Sequence, residues 1–548
     1  MASISETKTA EHVIRLRDDS LAEQFNFRSL WQDTADWILP MFGRITSVRT
    51  PGERLGVHLS DVTARTEARN MASGLSAQII PPDSTFFELQ GDDRDNRDDG
   101  EIEEYMGELS EDTHSILFDS NFKEEFDGSL QSHLVFGNAC LFPKWSVKRG
   151  LTHRSYPIGS YQLRQDEDGI IDTLILTVKR TARQLHQQFG NKIGPQVRKA
   201  LEDEALGRES NDLFDIIQIV RPRTDRDVRS ISNLNMPVQS LYIGELDRNI
   251  LEESGFPEFP FSTPRWWKSP GELYGRGQGT EILPQVLKLN QMELDHADSG
   301  NMWVRPPLEI LESYDGSVMM MPAALHHVVE RQTITAVDLG ARGAYPVSKD
   351  ALEAQRDIVK EAFLKNALEQ ISSLTGDRRT TVEIFARLKE GFKKLSQPIG
   401  RVFTELLNPD IQRVVKLLIR NGVVRQPPPQ LRRVKIKYTG PLALALQDQQ
   451  VEAFDLWLDM VTRMEEVQPG TVDNIDFDQA SRDVGRSMGV KESHVRPIAD
   501  RDQMRQARQA AQEQQQALAA AQTLAQGYGQ TTKAPEPGSA AEQLQGAV

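Results

Sequence analysis

Three places in this 548-residue sequence hold residue types that could do chemistry. Gly275-Arg-Gly277-Gln-Gly279 stands just ahead of a helical pattern, where glycine backbone N–H groups could cradle a phosphate. No lysine follows at the helix start and no strand pattern leads directly in, so the spacing favours a flexible joint at a helix N-terminus. His326-His327 are adjacent and point in different directions on a helix or a strand, which is poor spacing for a metal pair. The run Asp92-Asp-Arg-Asp-Asn-Arg-Asp-Asp99 could attract a divalent cation, although a solvated acidic loop accounts for it more simply. Phosphate-loop, H-E-x-x-H and G-x-S-x-G patterns are all missing. The residues therefore predict no enzyme, no cofactor and no metal.

Composition narrows the field further. The apolar fraction is 38%, enough for a packed core, and formal net charge is −16. A protein that grips nucleic acid is ordinarily basic, because affinity comes from neutralised phosphates. The single cysteine, Cys140, allows no intramolecular disulfide. The first fifteen residues lack the apolar core of a secretory signal, and no run of about 18 apolar residues exists, so no membrane span is expected. Charge is unevenly placed. Residues 378–437 hold 15 Lys/Arg against 4 Asp/Glu, while residues 88–127 hold 16 Asp/Glu against 3 Lys/Arg. Two solvated faces would explain this, and so would an acidic face meeting a basic face on a neighbouring subunit.

The elements that must position these residues read as follows. Apolar residues at helical spacing predict a helix over 20–41 and a second one after Asp61, stopped by Pro81-Pro82. Helices follow over 100–136, then β structure from Ala139, with a hairpin turn at Asp166-Glu-Asp-Gly169. Helix returns over 181–206, and strands over 213–221 and 238–243. A helix is expected over 280–303, with Asn290, Gln291 and Asp295 interrupting its apolar positions. A compact segment of turns and short strands, 304–347, precedes a helix over 349–371. After a polar loop, Thr380-Thr-Val-Glu383 opens a long helix towards Asn421-Gly422, which Pro398 and Pro409 must kink or split. A basic strand, 431–438, leads to helices over 441–465, 476–488 and a Gln/Ala-rich stretch at 505–526. The last twenty or so residues have a disordered composition. The fold class is α+β, mostly α.

This order of elements resembles the portal proteins of short-tailed, podovirus-type phages. So do Asn70-Met-Ala-Ser-Gly-Leu-Ser-Ala-Gln-Ile-Ile-Pro-Pro82 with Thr85-Phe-Phe, Phe136-Gly-Asn-Ala-Cys-Leu-Phe142, Gly271-Glu-Leu-Tyr-Gly-Arg-Gly277, Arg379-Thr-Thr-Val-Glu383 and Phe477 to Val490. The resemblance implies a ring, usually of twelve subunits, that passes double-stranded DNA without sequence specificity. It implies a wing (1–279), stem helices (280–303 and 349–371), a clip (304–347), a tunnel loop (372–379), a long kinked wing helix with its strand (380–440), a crown (441–525) and a disordered tail (526–548). Implied partners are the terminase large subunit, major capsid and scaffold proteins, tail adaptors, and internal core or ejection proteins at the crown. The location implied is the virion, after assembly in the host cytoplasm. Tunnel-loop candidates are Ser372, Ser373, Leu374, Thr375, Gly376, Asp377, Arg378 and Arg379. Channel-facing stem candidates are Lys349, Arg356 and Lys360. The competing readings are a tail adaptor or scaffold protein that binds no DNA, and a nuclease acting through 92–99.

Overall fold

The computed structural model describes residues 4–47, 50, 52–81, 85–91, 100–205, 212–227, 232–305, 308–313, 315, 318, 334–336, 344–363, 396–429, 431, 433–440, 442–443, 457–464, 475, 477–478, 480–481 and 498–529. The chain divides into two compact units, Met1–Gln449 and Gln450–Val548. The described structure is mixed and mostly helical, as the hydrophobic periodicity predicts.

The first unit opens with α1 (Ile4–Glu23) and α2 (Phe25–Trp37). The expected single helix over 20–41 is thus two, and α1 starts well ahead of it. The break falls at Gln24, whose side chain is buried and donates to the Tyr161 carbonyl at 3.1 Å. Next come α3 (Thr63–Ile79), β1 (Phe87–Gly91), α4 (Gly100–Asp119) and α5 (Phe122–Phe136). A hairpin, β2 (Leu141–Ser146) with β3 (Gly150–Ser155), leads into a five-stranded antiparallel meander. Its strands are β4 (Tyr161–Gln165), β5 (Ile171–Thr181), β6 (Leu213–Pro222), β7 (Val238–Gly244) and β8 (Asn249–Phe256). Helices α6 (Ala182–Phe189) and α7 (Pro195–Ala205) stand between β5 and β6, so the helix expected over 181–206 is also divided.

Period-two alternation makes the meander two-faced. Ile217, Ile219, Leu241 and Ile243 pack under Ala10 and Val13 of α1, whereas Ile216 and Leu251 pack with Leu185, Phe189 and Val197 of α6 and α7. Arg17 closes α1 onto the sheet with two bonds to Glu245, at 3.0 and 2.7 Å. The largest core, which includes Trp31, Leu75, Phe126, Leu134, Trp266 and Leu289, joins α2, α3 and α5 to the later helices.

Those later elements are α8 (Gln278–Val304), the small antiparallel pair β9 (Leu308–Ile310) and β10 (Ile334–Ala336), and α9 (Ala344–Ala362). Helix α9 begins earlier than expected, with Pro346 in its first turn, where no intrahelical N–H bond is lost. Of the long helix, residues 380–395 lie outside the described residues. From Ser396 the chain runs through α10 (Ser396–Arg401), a π-helical turn (Val402–Leu407) and α11 (Asn408–Arg420). Pro409 cannot donate to the Glu405 carbonyl and its ring would strike it. The wider π turn absorbs that conflict, with Asn408 N–H reaching back to the Phe403 carbonyl. Residue Gly422, at φ 66°, ends the helix as expected. A fully buried contact of 3.2 Å joins His153 of β3 to Asp410 of α11.

The acidic and basic segments meet inside one chain. Strand β11 (Val434–Tyr438) pairs antiparallel with β1, setting Lys437 opposite Glu88, and Arg425 lies 3.9 Å from Glu101 and 3.8 Å from Glu108 of α4. Described parts of the two segments are thus already partners within one chain. In the second unit, α12 (Ile498–Gly529) carries the Gln/Ala-rich stretch. Two of its arginines hold Asp478, Arg501 at 3.2 Å and Arg505 at 2.6 Å.

One buried group sets a pH dependence. Burial, and secondarily the charge of Arg401, lowers the pKa of His133 to about 3. The unfolded chain takes up this proton near pH 6.5 and the folded chain does not, so stability falls as pH drops below 6.5. By pH 4.5 the loss from this group is about 2–3 kcal/mol. Urea unfolding of His133→Leu between pH 7 and 4.5 should show a shallower fall in stability than the parent chain. An identical slope would contradict the assignment.

Candidate functional site

The segment leading into α8 is built around close backbone contact. Gly275 and Gly277 lie against the end of α5, where a Cβ on Gly277 would come within 2.4 Å of Gly137 N and Val135 O. A Cβ on Gly275 would stand 2.6 Å from Gly137 O, and Gly137 itself has φ +87°. Asn138 locks the contact in both directions: its Nδ2 donates to Gly275 O, and its Oδ1 accepts from Gly275 N–H, both at 2.9 Å. Trp267 and Arg276 exchange backbone bonds at 3.1 and 2.8 Å. The guanidinium of Arg276 binds Glu272 and lies 5.6 Å over the Phe27 ring. Tyr274, packed on Phe27 and Trp31, accepts the Leu163 N–H at 3.0 Å. Sequence reasoning expects a flexible joint here. The structure corrects this, because the glycines serve closeness and not freedom. It also disposes of the phosphate cradle, since the backbone of 135–137 fills the space beside the glycines.

Helices α8 and α9 pack side by side on this rigid root. Leu352, Gln355, Val359 and Phe363 form the buried face of α9, and Gln355 donates to the Gln285 side chain at 2.9 Å. Of the candidate stem cations, Arg356 is fully engaged. It donates to Asp61 at 2.8 Å, Glu293 at 2.9 Å and Glu353 at 3.1 Å. Lys360 is paired with Asp357 at 2.7 Å, and Lys349 is exposed. The outward side of α9 instead shows four exposed carboxylates, Asp350, Glu353, Asp357 and Glu361, one or two turns apart. The tunnel-loop candidates Ser372 to Arg379 lie outside the described residues, as do His326-His327 and 92–99.

Two residues that sequence reasoning placed differently prove central. Asp61 was expected as a helix cap. Its Oδ1 does accept the Thr63 N–H at 2.7 Å, while its Oδ2 receives Arg356. Burial opposes ionisation of this carboxyl, but the bonds from Thr63 and Arg356 outweigh it and hold its pKa below the ordinary carboxylate value. Asn290 was expected to interrupt an apolar face towards a channel. It is 2% exposed and turned inward, its Oδ1 accepting the N–H groups of Ser60 at 2.9 Å and Asp61 at 3.1 Å. A buried asparagine in mid-helix was the available signal, since such a group needs a partner. Among the described residues, no group of three His, Cys, Asp or Glu is placed to hold a metal. Cys140 is fully buried, and burial raises its thiol pKa well above the ordinary value.

Residues 12–495 match the family described as bacteriophage head to tail connecting protein. The chain belongs to the bacteriophage head-to-tail connecting protein family. The match covers the connector from within α1 to just short of α12. The portal protein of Salmonella phage epsilon15 is 24% identical to the connector over 96% of this chain and 95% of its own. The probable portal protein of Bordetella phage BPP-1 is 23% identical over 92% and 91%. A chain from the virion of a native gene transfer agent particle overlays on 78% of the connector and 94% of itself, with 12% identity and a TM-score of 0.35.

The glycine contact yields a paired test. Gly277→Ala should lower the connector's unfolding free energy by about 3 kcal/mol, because the methyl group meets backbone that cannot yield. Gly128→Ala, where no atom lies within 4 Å of the added carbon, should raise it by about 0.5–1 kcal/mol. Chemical denaturation measures both, and a neutral Gly277→Ala would refute the rigid joint.

Proposed function

We propose that this connector is one subunit of a portal ring, a passive channel for double-stranded DNA at a capsid vertex. The observation that carries the reading is the end-to-end match to the connector family, with two relatives that bear the portal name over more than nine-tenths of both chains. On this reading α8 and α9 are the stem and the segment holding β9 and β10 is the clip. Residues 1–279 and 380–440 form the wing, residues 372–379 the tunnel loop, 441–525 the crown and 526–548 the tail. The ring has the family's usual twelve copies, and closes through head-to-tail contacts that repeat by rotation. A separate terminase supplies the energy of packaging and docks at the clip, which later receives the tail adaptors. Capsid and scaffold proteins surround the wing, and internal core or ejection proteins meet the crown.

Charge explains the mechanism. DNA carries one negative charge per about 1.7 Å of axis, and a wall that neutralised many phosphates would hold the duplex still. The outward carboxylates of α9 suit a surface that DNA slides past. Fixed cations are then needed only at the narrowest point, and Arg378 and Arg379 are the candidates. Lys349 and Lys360 are left at the edge of α9, while Arg356 serves the stem's attachment to the body.

Electron microscopy of the purified chain should show closed rings with a central hole; particles without a hole would overturn the proposal. In phage carrying Arg378→Ser with Arg379→Ser, rings should assemble normally, while packaged DNA retained per particle falls at least about tenfold, the loss expected when several phosphate contacts are removed. Unchanged packaging and retention would remove these two residues from the channel.

A further inference from the structure

A buried polar cluster lies where α5, residues 265–268 and α10 with its π turn come together. His133 and Trp266 are fully buried, and their rings cross edge to face with centroids 5.4 Å apart. Among the described residues neither ring nitrogen of His133 has a hydrogen-bond partner, and the same holds for Trp266 Nε1, Arg265 Nε and Arg401 Nη1. Neutral His133 donates through one of its two nitrogens, so each of the four side chains offers an N–H without an acceptor. The charges nearby are lopsided. Glu405 accepts the Arg265 backbone N–H at 2.9 Å and lies 3.5 Å from its guanidinium. Burial, with the charges of Arg265 and Arg401, holds Lys268 below the ordinary lysine value against the pull of Glu405. The charge of Arg401 also acts on His133. Three cations therefore surround a single carboxylate.

We propose that this cluster binds a small monovalent anion of halide size, held by His133, Trp266, Arg265 and Arg401. Buried N–H groups without acceptors are costly, and folded proteins rarely keep several side by side. A bridging water would satisfy some of the donors but would leave the surplus positive charge. An anion answers both needs at once, because it accepts from several donors and offsets the charge of Arg265, Lys268 and Arg401 that Glu405 leaves over. A spherical ion also has no preferred direction of approach, which suits donors that come from three separate stretches of chain. Bound there, it would tie α5 to α10 through ionic contacts where the two share little else but apolar packing. The site belongs to the single chain and stands whether or not the connector forms rings.

Anion exchange at constant ionic strength tests it on the full-length protein. Replacing about 0.2 M potassium gluconate by potassium chloride should lower the unfolding equilibrium constant about tenfold and saturably, as expected when a site is filled at about ten times its Kd. In Arg401→Gln that chloride response should vanish. In Arg420→Gln, which removes a half-exposed cation of α11 paired with Glu258, it should persist. Crystals of the parent chain grown in bromide should show an anomalous peak within hydrogen-bond reach of Arg401 Nη1 and His133. A bridging water at that place, with no bromide, would overturn the proposal, and so would a chloride response that Arg401→Gln shares with the parent chain. If Arg401→Gln does not fold, the bromide map decides alone.

Discussion

The placement of α8 depends on two backbones lying closer than side chains allow. The end of α5 at Gly137 and the strand-like segment before α8 touch through glycine, and Asn138 satisfies the Gly275 peptide from both sides. No other residue type fits, because any Cβ would overlap main-chain atoms. The contact fixes where α8 begins and the direction in which it leaves the body. Trp266 and Tyr274 fill the core around it, so the direction is set by packing on every side.

The second attachment works by a different rule. Arg356 gathers carboxylates from α8, α9 and the approach to α3, and each bond is short and well aimed. The α8–α9 pair is therefore held by apolar packing along its length, with Val286, Leu289, Leu352 and Val359 in the main core, and by one ionic cluster. Two of the four exposed carboxylates of α9 are themselves paired, Glu353 with Arg356 and Asp357 with Lys360.

Much of this was legible in the sequence, and the failures share a cause. Helices α3, α4, α5, α8 and most strands of the meander follow from period, caps and turn residues. Strand β8 and residues 4–19 of α1 escaped, the latter because only Ala10 and Val13 are fully buried there among many polar neighbours. The glycine triplet at 275–279 was read as freedom because composition cannot tell a loose glycine from a crowded one. Arg356 was read as a channel cation because its partners Asp61 and Glu293 are remote in the chain. The pairing of β1 with β11, which sets Lys437 opposite Glu88 within one chain, was hidden in the same way. Local signals survive in a one-dimensional pattern, whereas contacts that join distant segments appear only once the chain is folded.

The proposed function is a channel that lets DNA pass without gripping it. The most direct measurement is the affinity of assembled rings for a duplex longer than the channel, across a salt series. The account predicts a Kd weaker than about 1 μM at 0.15 M salt, with only a shallow further loss of affinity as salt rises because the phosphate contacts are few. Nanomolar binding at about 0.15 M salt that weakens steeply as salt rises would show a wall that neutralises many phosphates and holds DNA, and would contradict it.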